Sequence, residues 1–285
     1  MAENAGAVLI TGCSTGIGRA SAERLAANGH TVYATARKLD AIADLENKGC
    51  KLLALDVNDE ASMTAAVETI EAAEGGIDAL VNNAGYSQSG AVEDIPLESI
   101  RGQFETNVFG LIRMSQLVLP GMRRRGSGRI VNIGSMGGKL TFPGGGIYHA
   151  TKYAVEAISD AMRFELSGFG IQVVLIEPGL IRTQFGETAG GSLPVQSRTE
   201  GAYDRFNRAV GKITAGAYDS PISKLVGGGP ETVAKTIEKA ITTRRPSARY
   251  AVTPSAHLAI AQKALTPDRV WDMFMGRAYP RPRKG

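Results

Sequence analysis

Short β-rich apolar runs recur along the chain with longer helical patterns between them, and this alternation is the strongest constraint on what the chain can fold into. The runs are AVLIT (7 to 11), TVYAT (31 to 35), KLLALD (51 to 56), DALVNN (78 to 83), RIVNIG (129 to 134) and QVVLIE (172 to 177), each flanked by Gly, Asp or Pro. Continuous apolar strands are buried on both faces, and a helix between successive strands returns the chain for parallel pairing. The expected class is α/β, a doubly wound parallel sheet of about seven strands with helices on both faces. ARYAVTP (248 to 254) supplies the seventh strand.

No internal repeat and no Pro/Ser-rich linker divides the sequence, so residues 1–285 are read as a single domain. Within it, 5–183 form the expected core, 184–229 an insertion after strand six, and 230–285 a C-terminal helix and strand with a tail. From Gln184 to Gly229 the composition turns to Gly, Ser, Thr and Pro, with a short helical pattern only around AYDRFNRAVGKI. An insertion there lies at the carboxyl edge of the sheet, where ligands bind in such folds, so a substrate lid is expected. An ordinary surface excursion is the alternative.

A hydrophobic content of 43% is enough for a sizeable core. No apolar run approaches the roughly 18 residues that span a bilayer, and MAENAGAVLIT lacks a basic segment followed by a hydrophobic signal. A cytoplasmic protein without a membrane span is expected. Cys13 and Cys50 lie too far apart in sequence for a clustered metal site, so no metal is expected and both are read as free thiols. The formal charge of +4 concentrates at Arg123, Arg124, Arg125 and Arg129 and in the tail PRPRKG. Neither patch interleaves with aromatics or glycines, so a solvated helix end and a loose tail are favoured over nucleic-acid binding.

The first strand runs into TGCSTGIGRA, which places Gly12, Ser14, Thr15, Gly16, Ile17 and Gly18 ahead of a helical pattern that begins near Arg19. Glycines there permit a tight turn and let backbone N–H groups approach a pyrophosphate at the positive end of a helix. The spacing Gly-x-x-x-Gly-x-Gly is not a P-loop, since no Lys-Ser or Lys-Thr follows, so a nucleotide other than ATP is favoured. Where an NAD-binding strand two would end in an acid, this one ends in Ala36, Arg37 and Lys38. A guanidinium there can pair with a 2′-phosphate, which predicts NADP(H). Asp56 and Val57 close strand three, where a carboxylate can accept from an adenine amino group; Asn58 or Asp59 is better placed to cap the next helix. Asn83, Ala84 and Gly85 after strand four suit a backbone bend packed against a nucleotide, or a purely structural turn.

In IYHATKYAVEAI, Tyr148 precedes Lys152 by one helical turn, so both project from one face. Eight tyrosines and eleven lysines give that spacing ample opportunity to arise by chance, and it decides little alone. Taken in order, however, Thr11-Gly12-x-x-x-Gly16-x-Gly18, Asp56, Asn82-Asn83-Ala84-Gly85, Asn107, Ser135, Tyr148-x-x-x-Lys152 and Pro178-Gly179 resemble the short-chain dehydrogenases/reductases, which have a Rossmann fold. The C-terminal part is similar to the branch of 17β-hydroxysteroid, retinol and acyl-dihydroxyacetone-phosphate reductases. The resemblance implies that Ser135 binds the substrate oxygen, Tyr148 is the general acid or base, and Lys152 lowers the Tyr148 pKa and bonds the nicotinamide ribose. It implies further that Asn107 holds a proton-relay water, that Ile181 and Thr183 meet the carboxamide, and that Pro178 and Gly179 form the turn before them.

His149 and His257 accompany no Ser-x-Gly elbow, so a hydrolase triad is not expected and both are read as structural. The activity implied is NADP(H)-dependent interconversion of a ketone or aldehyde with an alcohol, on an apolar lipid, steroid or retinoid-like substrate. A homodimer or homotetramer is implied through helices around 97 to 124 and 147 to 169. A catalytically degenerate NADP(H)-sensing protein would be expected to lose Tyr148 or Lys152, and a nucleotide-sugar epimerase or dehydratase fits the Ala36-Arg37 end less well.

Overall fold

A computed structural model describes residues 6–183, 201–219 and 225–282. Seven strands pair in the order β3-β2-β1-β4-β5-β6-β7. They are β1 (Val8–Ile10), β2 (Val32–Ala36), β3 (Lys51–Ala54), β4 (Ala79–Asn82), β5 (Gly128–Ile133), β6 (Ile171–Pro178) and β7 (Arg249–Val252). Each pairing is parallel, and each strand falls within two residues of the run that announced it. Between them lie α1 (Gly16–Ala27), α2 (Glu60–Glu74), α3 (Leu97–Phe104), α4 (Gly110–Arg125) and α5 (Gly146–Glu165). After β6 come α6 (Asp204–Asp219), α7 (Pro230–Thr242), α8 (Pro254–Leu265) and α9 (Asp268–Ala278).

Alternation along the strands sorts the core into two layers. Val8 and Ile10 of β1 face Ala22 and Leu25 of α1 and Val233 and Ile237 of α7, while Leu9 faces Met63 and Ile70 of α2 and Met114 and Val118 of α4. The Cys13 and Cys50 thiols are free and buried, and burial pushes them up to about 12 and about 11. Neither is a reactive thiolate at neutral pH. At the sheet edge, β3 is protected by Lys51, which pairs with Glu74 beside the Tyr33 hydroxyl.

Some local geometry departs from the expected pattern. Residues Leu39–Lys48 wind as a 3-10 helix ending in Gly49 at φ 86°, where a regular helix was the simpler expectation. Helix α1 starts at Gly16, three residues before the periodicity becomes visible, because the glycines conceal its first turn. Asp59 caps α2 by accepting from the Ala61 and Ser62 N–H groups, leaving Asp56 outside the helix. Within 184–229, residues 184–200 and 220–224 lie outside the described ones, so the lid expectation rests on α6. That helix is longer than its sequence pattern. It docks through Asn207, which accepts from Ala91 N at 3.0 Å and donates to Asp94 at 2.8 Å, and through Phe206 and Val210 against Ala91. The two ends of the excursion meet where Ile181 bridges Gly228.

A buried polar row crosses the sheet just below its carboxyl edge. Asn82 and Asn132 occupy the same register on β4 and β5, and Asn82 Nδ2 donates to Asn132 Oδ1 at 2.9 Å and to Ser115 Oγ at 3.1 Å. Asn132 Nδ2 donates to Ser159 Oγ at 2.9 Å, so the row joins α4, β4, β5 and α5. Removing the central amide strands partners on both sides, each costing about 1–3 kcal/mol when left unpaired. Asn132→Ala is therefore expected to lower unfolding free energy by about 2–4 kcal/mol, measured by urea denaturation, whereas Thr69→Ala on the exposed face of α2 should change it little.

Candidate active site

Strand order reverses between β1 and β4, which opens a crevice at the carboxyl edge of the sheet. One wall is built by Thr11. Its hydroxyl accepts from the Asn83 and Ala84 N–H groups at 3.0 Å each, while Asn83 Nδ2 donates to the Thr11 and Gly12 carbonyls at 2.9 Å each. These bonds press the glycine turn onto the end of β4. Gly12 adopts φ +73°, and a Cβ there would lie 2.9 Å from Ala84 Cα. At Gly18 a Cβ would lie 2.4 Å from both Asn83 Nδ2 and the Gly12 carbonyl oxygen, so this glycine packs beneath the turn. The N-cap Thr15 makes no side-chain capping bond and the first turn of α1 holds no acid, so its amino end presents free N–H donors to the crevice.

The opposite wall comes from β5 and α5. After β5, Ser135 caps a 3-10 turn by accepting from Gly137 N–H at 3.0 Å, which fixes its hydroxyl at the cleft. Tyr148 and Lys152 lie one turn apart on α5, with the Lys152 ammonium 5.8 Å from the centre of the Tyr148 ring. Lys152 Nζ donates to the Ile133 carbonyl at 2.7 Å, and burial lowers its pKa from 10.5 to about 8. His149, the residue after Tyr148, staples the loop. Its Nε2 accepts from Phe142 N–H at 3.2 Å, so Nδ1 carries the proton given to the Gly137 carbonyl at 2.9 Å. Burial lowers the His149 pKa, keeping the ring in this neutral form.

Asn107 sits at the centre of a π-helical turn, Glu105–Phe109, between α3 and α4. Its carboxamide accepts from Tyr86 N–H at 3.0 Å and donates to the Tyr86 carbonyl at 2.9 Å and to Thr151 Oγ1 at 3.1 Å. A buried amide inside a helix needs partners, and the wide turn turns this one toward a neighbouring backbone segment. Asn107 does not itself line the cleft, but it is bonded directly to Tyr86, which does.

These walls enclose a cleft of about 1110 Å³. Of the residues expected at the cofactor, Gly12, Ser14, Thr15, Gly16, Ile17, Arg37, Asp56, Val57, Asn83, Ala84, Gly85, Pro178, Gly179, Ile181 and Thr183 line it, together with Ser135, Tyr148 and Lys152. Gly18, Lys38 and Asn107 do not: Gly18 supports the turn from below, Lys38 is exposed at the start of the 3-10 helix, and Asn107 is buried behind. The far half of the cleft was not legible in the sequence. Phe142 from the loop after the Ser135 turn, Val210 and Ile213 from α6, Val226 from ahead of α7, Leu258 from α8 and Tyr279 just past α9 line it. The apolar stripes of those helices signal burial equally well and do not reveal which cavity they meet.

The profile of the short chain dehydrogenase family matches residues 6–191. The chain is 35% identical over 265 residues to 3-ketodihydrosphingosine reductase of Bacteroides thetaiotaomicron, covering 92% of this chain and 94% of that protein. It is 36% identical to human 17-beta-hydroxysteroid dehydrogenase type 1, covering 86% and 77% of the two chains. Among solved structures, the closed form of serine dehydrogenase complexed with NADP+ superposes with a TM-score of 0.74 at 28% identity, covering 87% of this chain and 94% of that one. The chain belongs to the short-chain dehydrogenase/reductase family of oxidoreductases, whose members use nicotinamide cofactors. Among the described residues, no helix is long and apolar enough to cross a membrane.

A lysine held at about 8 in the fold and 10.5 outside it costs stability while charged, and stability recovers as pH rises from 8 to 10.5. Lys152→Met removes that dependence. The melting temperature of the variant relative to the parent should therefore fall as pH is raised through this window, as followed by thermal melts of the cofactor-free protein at pH 7, 8.5 and 10.

Proposed function

We propose that this protein is an NADP(H)-dependent oxidoreductase that interconverts a ketone or aldehyde with an alcohol, on an apolar lipid or steroid-like substrate. The observation that carries this assignment is the convergence of Ser135, Tyr148 and Lys152 on the cleft into which the uncapped end of α1 opens. The crevice fits a dinucleotide. Free N–H donors suit a pyrophosphate, the Gly12 turn has no room for a side chain, and Arg37 lies on the cleft rim where an acid would select NAD. Gly12 to Ile17 would hold the pyrophosphate, Arg37 the 2′-phosphate, Asp56 and Val57 the adenine, and Ile181 and Thr183 the carboxamide. When bound, the nicotinamide supplies or takes up a hydride.

The remaining steps belong to the chain's own side chains. Ser135, whose oxygen already accepts from Gly137 N–H, donates its proton to the substrate oxygen and orients it. Tyr148 gives a proton to the developing alkoxide in reduction and takes it in oxidation. An unperturbed tyrosine, near pKa 10, needs a shift of about 2–3 units to work at neutral pH, and the Lys152 ammonium beside its ring favours the phenolate. With its own pKa near 8, Lys152 is still mainly charged at pH 7 and close enough to neutrality to pass a proton onward. Asn107 holds the π turn against Tyr86 and steadies Thr151, and a water in that widened turn would connect Lys152 to solvent.

Phe142, Val210, Ile213 and Leu258 give the far half of the cleft an apolar surface, and relatives named for a long-chain ketone and a steroid support the substrate class. Exposed Phe109, at the end of the π turn that leads into α4, and Phe164 on α5 support assembly as a homodimer or homotetramer through those helices. A cytoplasmic location belongs to the same proposal.

Two measurements test it. Arg37→Asp should weaken NADPH binding about 10- to 100-fold while sparing NADH, read by nicotinamide fluorescence titration; equal affinity of the parent for both cofactors would remove Arg37 from the argument. Tyr148→Phe should leave NADPH affinity nearly intact and lower turnover on a panel of long-chain and steroid ketones by about 10²–10⁴, and unchanged turnover would exclude Tyr148 from proton transfer.

A further inference from the structure

The face of α5 that carries Tyr148 and Lys152 continues for one more turn to Glu156, four residues on, and Glu156 is buried. Lys139, Arg249 and Glu177, from three other elements, gather around it. Lys139, which closes the turn begun by Ser135, places Nζ 2.6 Å from its carboxylate. Arg249 of β7 approaches it at 3.3 Å, and the same guanidinium pairs with Asp160, one turn further along α5, itself paired with Arg163. Glu177 of β6, also buried, lies 3.8 Å from the same Arg249 guanidinium. Glu156 Oε1 and Glu177 Oε1 are both buried without a hydrogen-bond partner. Burial first, and the neighbouring Glu156 second, push the Glu177 carboxyl up to about 7.

Each member of this cluster belongs to a segment of the site. Lys139 ends the Ser135 turn, Glu156 lies one turn beyond Lys152, and Glu177 immediately precedes the Pro178-Gly179 turn that lines the cleft. The contact is close: a Cβ on Gly138 would lie 2.9 Å from Glu156 Cγ and 2.9 Å from the Lys152 carbonyl oxygen, so the Ser135 turn rests directly on this stretch of helix.

We propose that Glu156 is a positioning residue for the carbonyl chemistry, holding the Ser135 turn and the Pro178-Gly179 turn in register with Tyr148 and Lys152 through Lys139 and through the Arg249 guanidinium that Glu156 and Glu177 both approach. This rests on the assignment of Ser135, Tyr148 and Lys152 as the reacting groups. Ionisation of Glu177 at higher pH puts a second buried charge beside the Glu156–Arg249 pair and loosens the register.

Steady-state reduction of a ketone substrate by NADPH, with cofactor affinity measured separately, tests it. Glu156→Gln should lower kcat about tenfold, leave NADPH affinity within twofold, and change KM less than kcat. Lys139→Met should lower kcat similarly, Lys139→Arg should restore it, and the double variant should fall no further than either single one. Glu177→Gln, which cannot ionise, should reduce the ratio of kcat at pH 6 to kcat at pH 8 toward one. Parental kcat and pH profile in Glu156→Gln and Lys139→Met would overturn the proposal. So would a loss of kcat matched by an equal loss of cofactor-binding sites, which marks unfolding and not misregister. Should Glu156→Gln fail to fold, the Lys139 and Glu177 variants decide. Full turnover by Tyr148→Phe in the same assay would instead overturn the underlying assignment.

Discussion

Parallel pairing is the constraint from which the rest of the molecule follows. When every strand runs the same way, every carboxyl end lies on one edge, and residues remote in sequence are gathered there without any contact having to pull them together. Arg37, Asp56, Asn83 and Ser135 each stand one or two residues past the end of β2, β3, β4 and β5, and Pro178 ends β6. The reversal of strand order beside β1 then parts the flanking loops. A cleft at that point is a property of the topology, and the particular side chains decide only what it holds.

The polar groups buried beneath that edge do a different job from the apolar layers above and below the sheet. Apolar burial stabilises without direction, whereas hydrogen bonds fix separation and angle. The Ser115, Asn82, Asn132 and Ser159 row sets how α4 and α5 sit on β4 and β5. Asn107 then ties the π turn to both Tyr86 and α5. Polar burial of this extent is costly unless satisfied, and here it is concentrated where α4 and α5 are held against the carboxyl edge of the sheet.

Sequence periodicity exposed the sheet fully, because strands buried on both faces leave unbroken apolar runs between Gly and Pro punctuation. The near half of the cleft was legible too, because the glycine turn, Ser135, Tyr148 and Lys152 form an ordered set, although each decides little alone. Elements governed by tertiary contact were not. Asn107 in the otherwise apolar helical stretch FETNVFG signals a distortion there, but the form it takes, a π turn at Glu105–Phe109, depends on its bonds to Tyr86, a partner 21 positions away. Likewise Glu156 looks like one more polar helical residue until Lys139, Arg249 and Glu177 are brought around it. The apolar far wall draws on α6, α8 and α9, whose stripes announce burial without an address.

The bridge between Ile181 and Gly228 bears on how such a molecule can change over time. Because the chain leaves the sheet and rejoins it at one place, the length between can change at small entropic cost. Change in α6, which lines the cleft through Val210 and Ile213, would reshape the far half while the strands, the glycine turn and α5 stay where they are. The shape of the cleft and the frame beneath it are thereby assigned to separate stretches of one polypeptide.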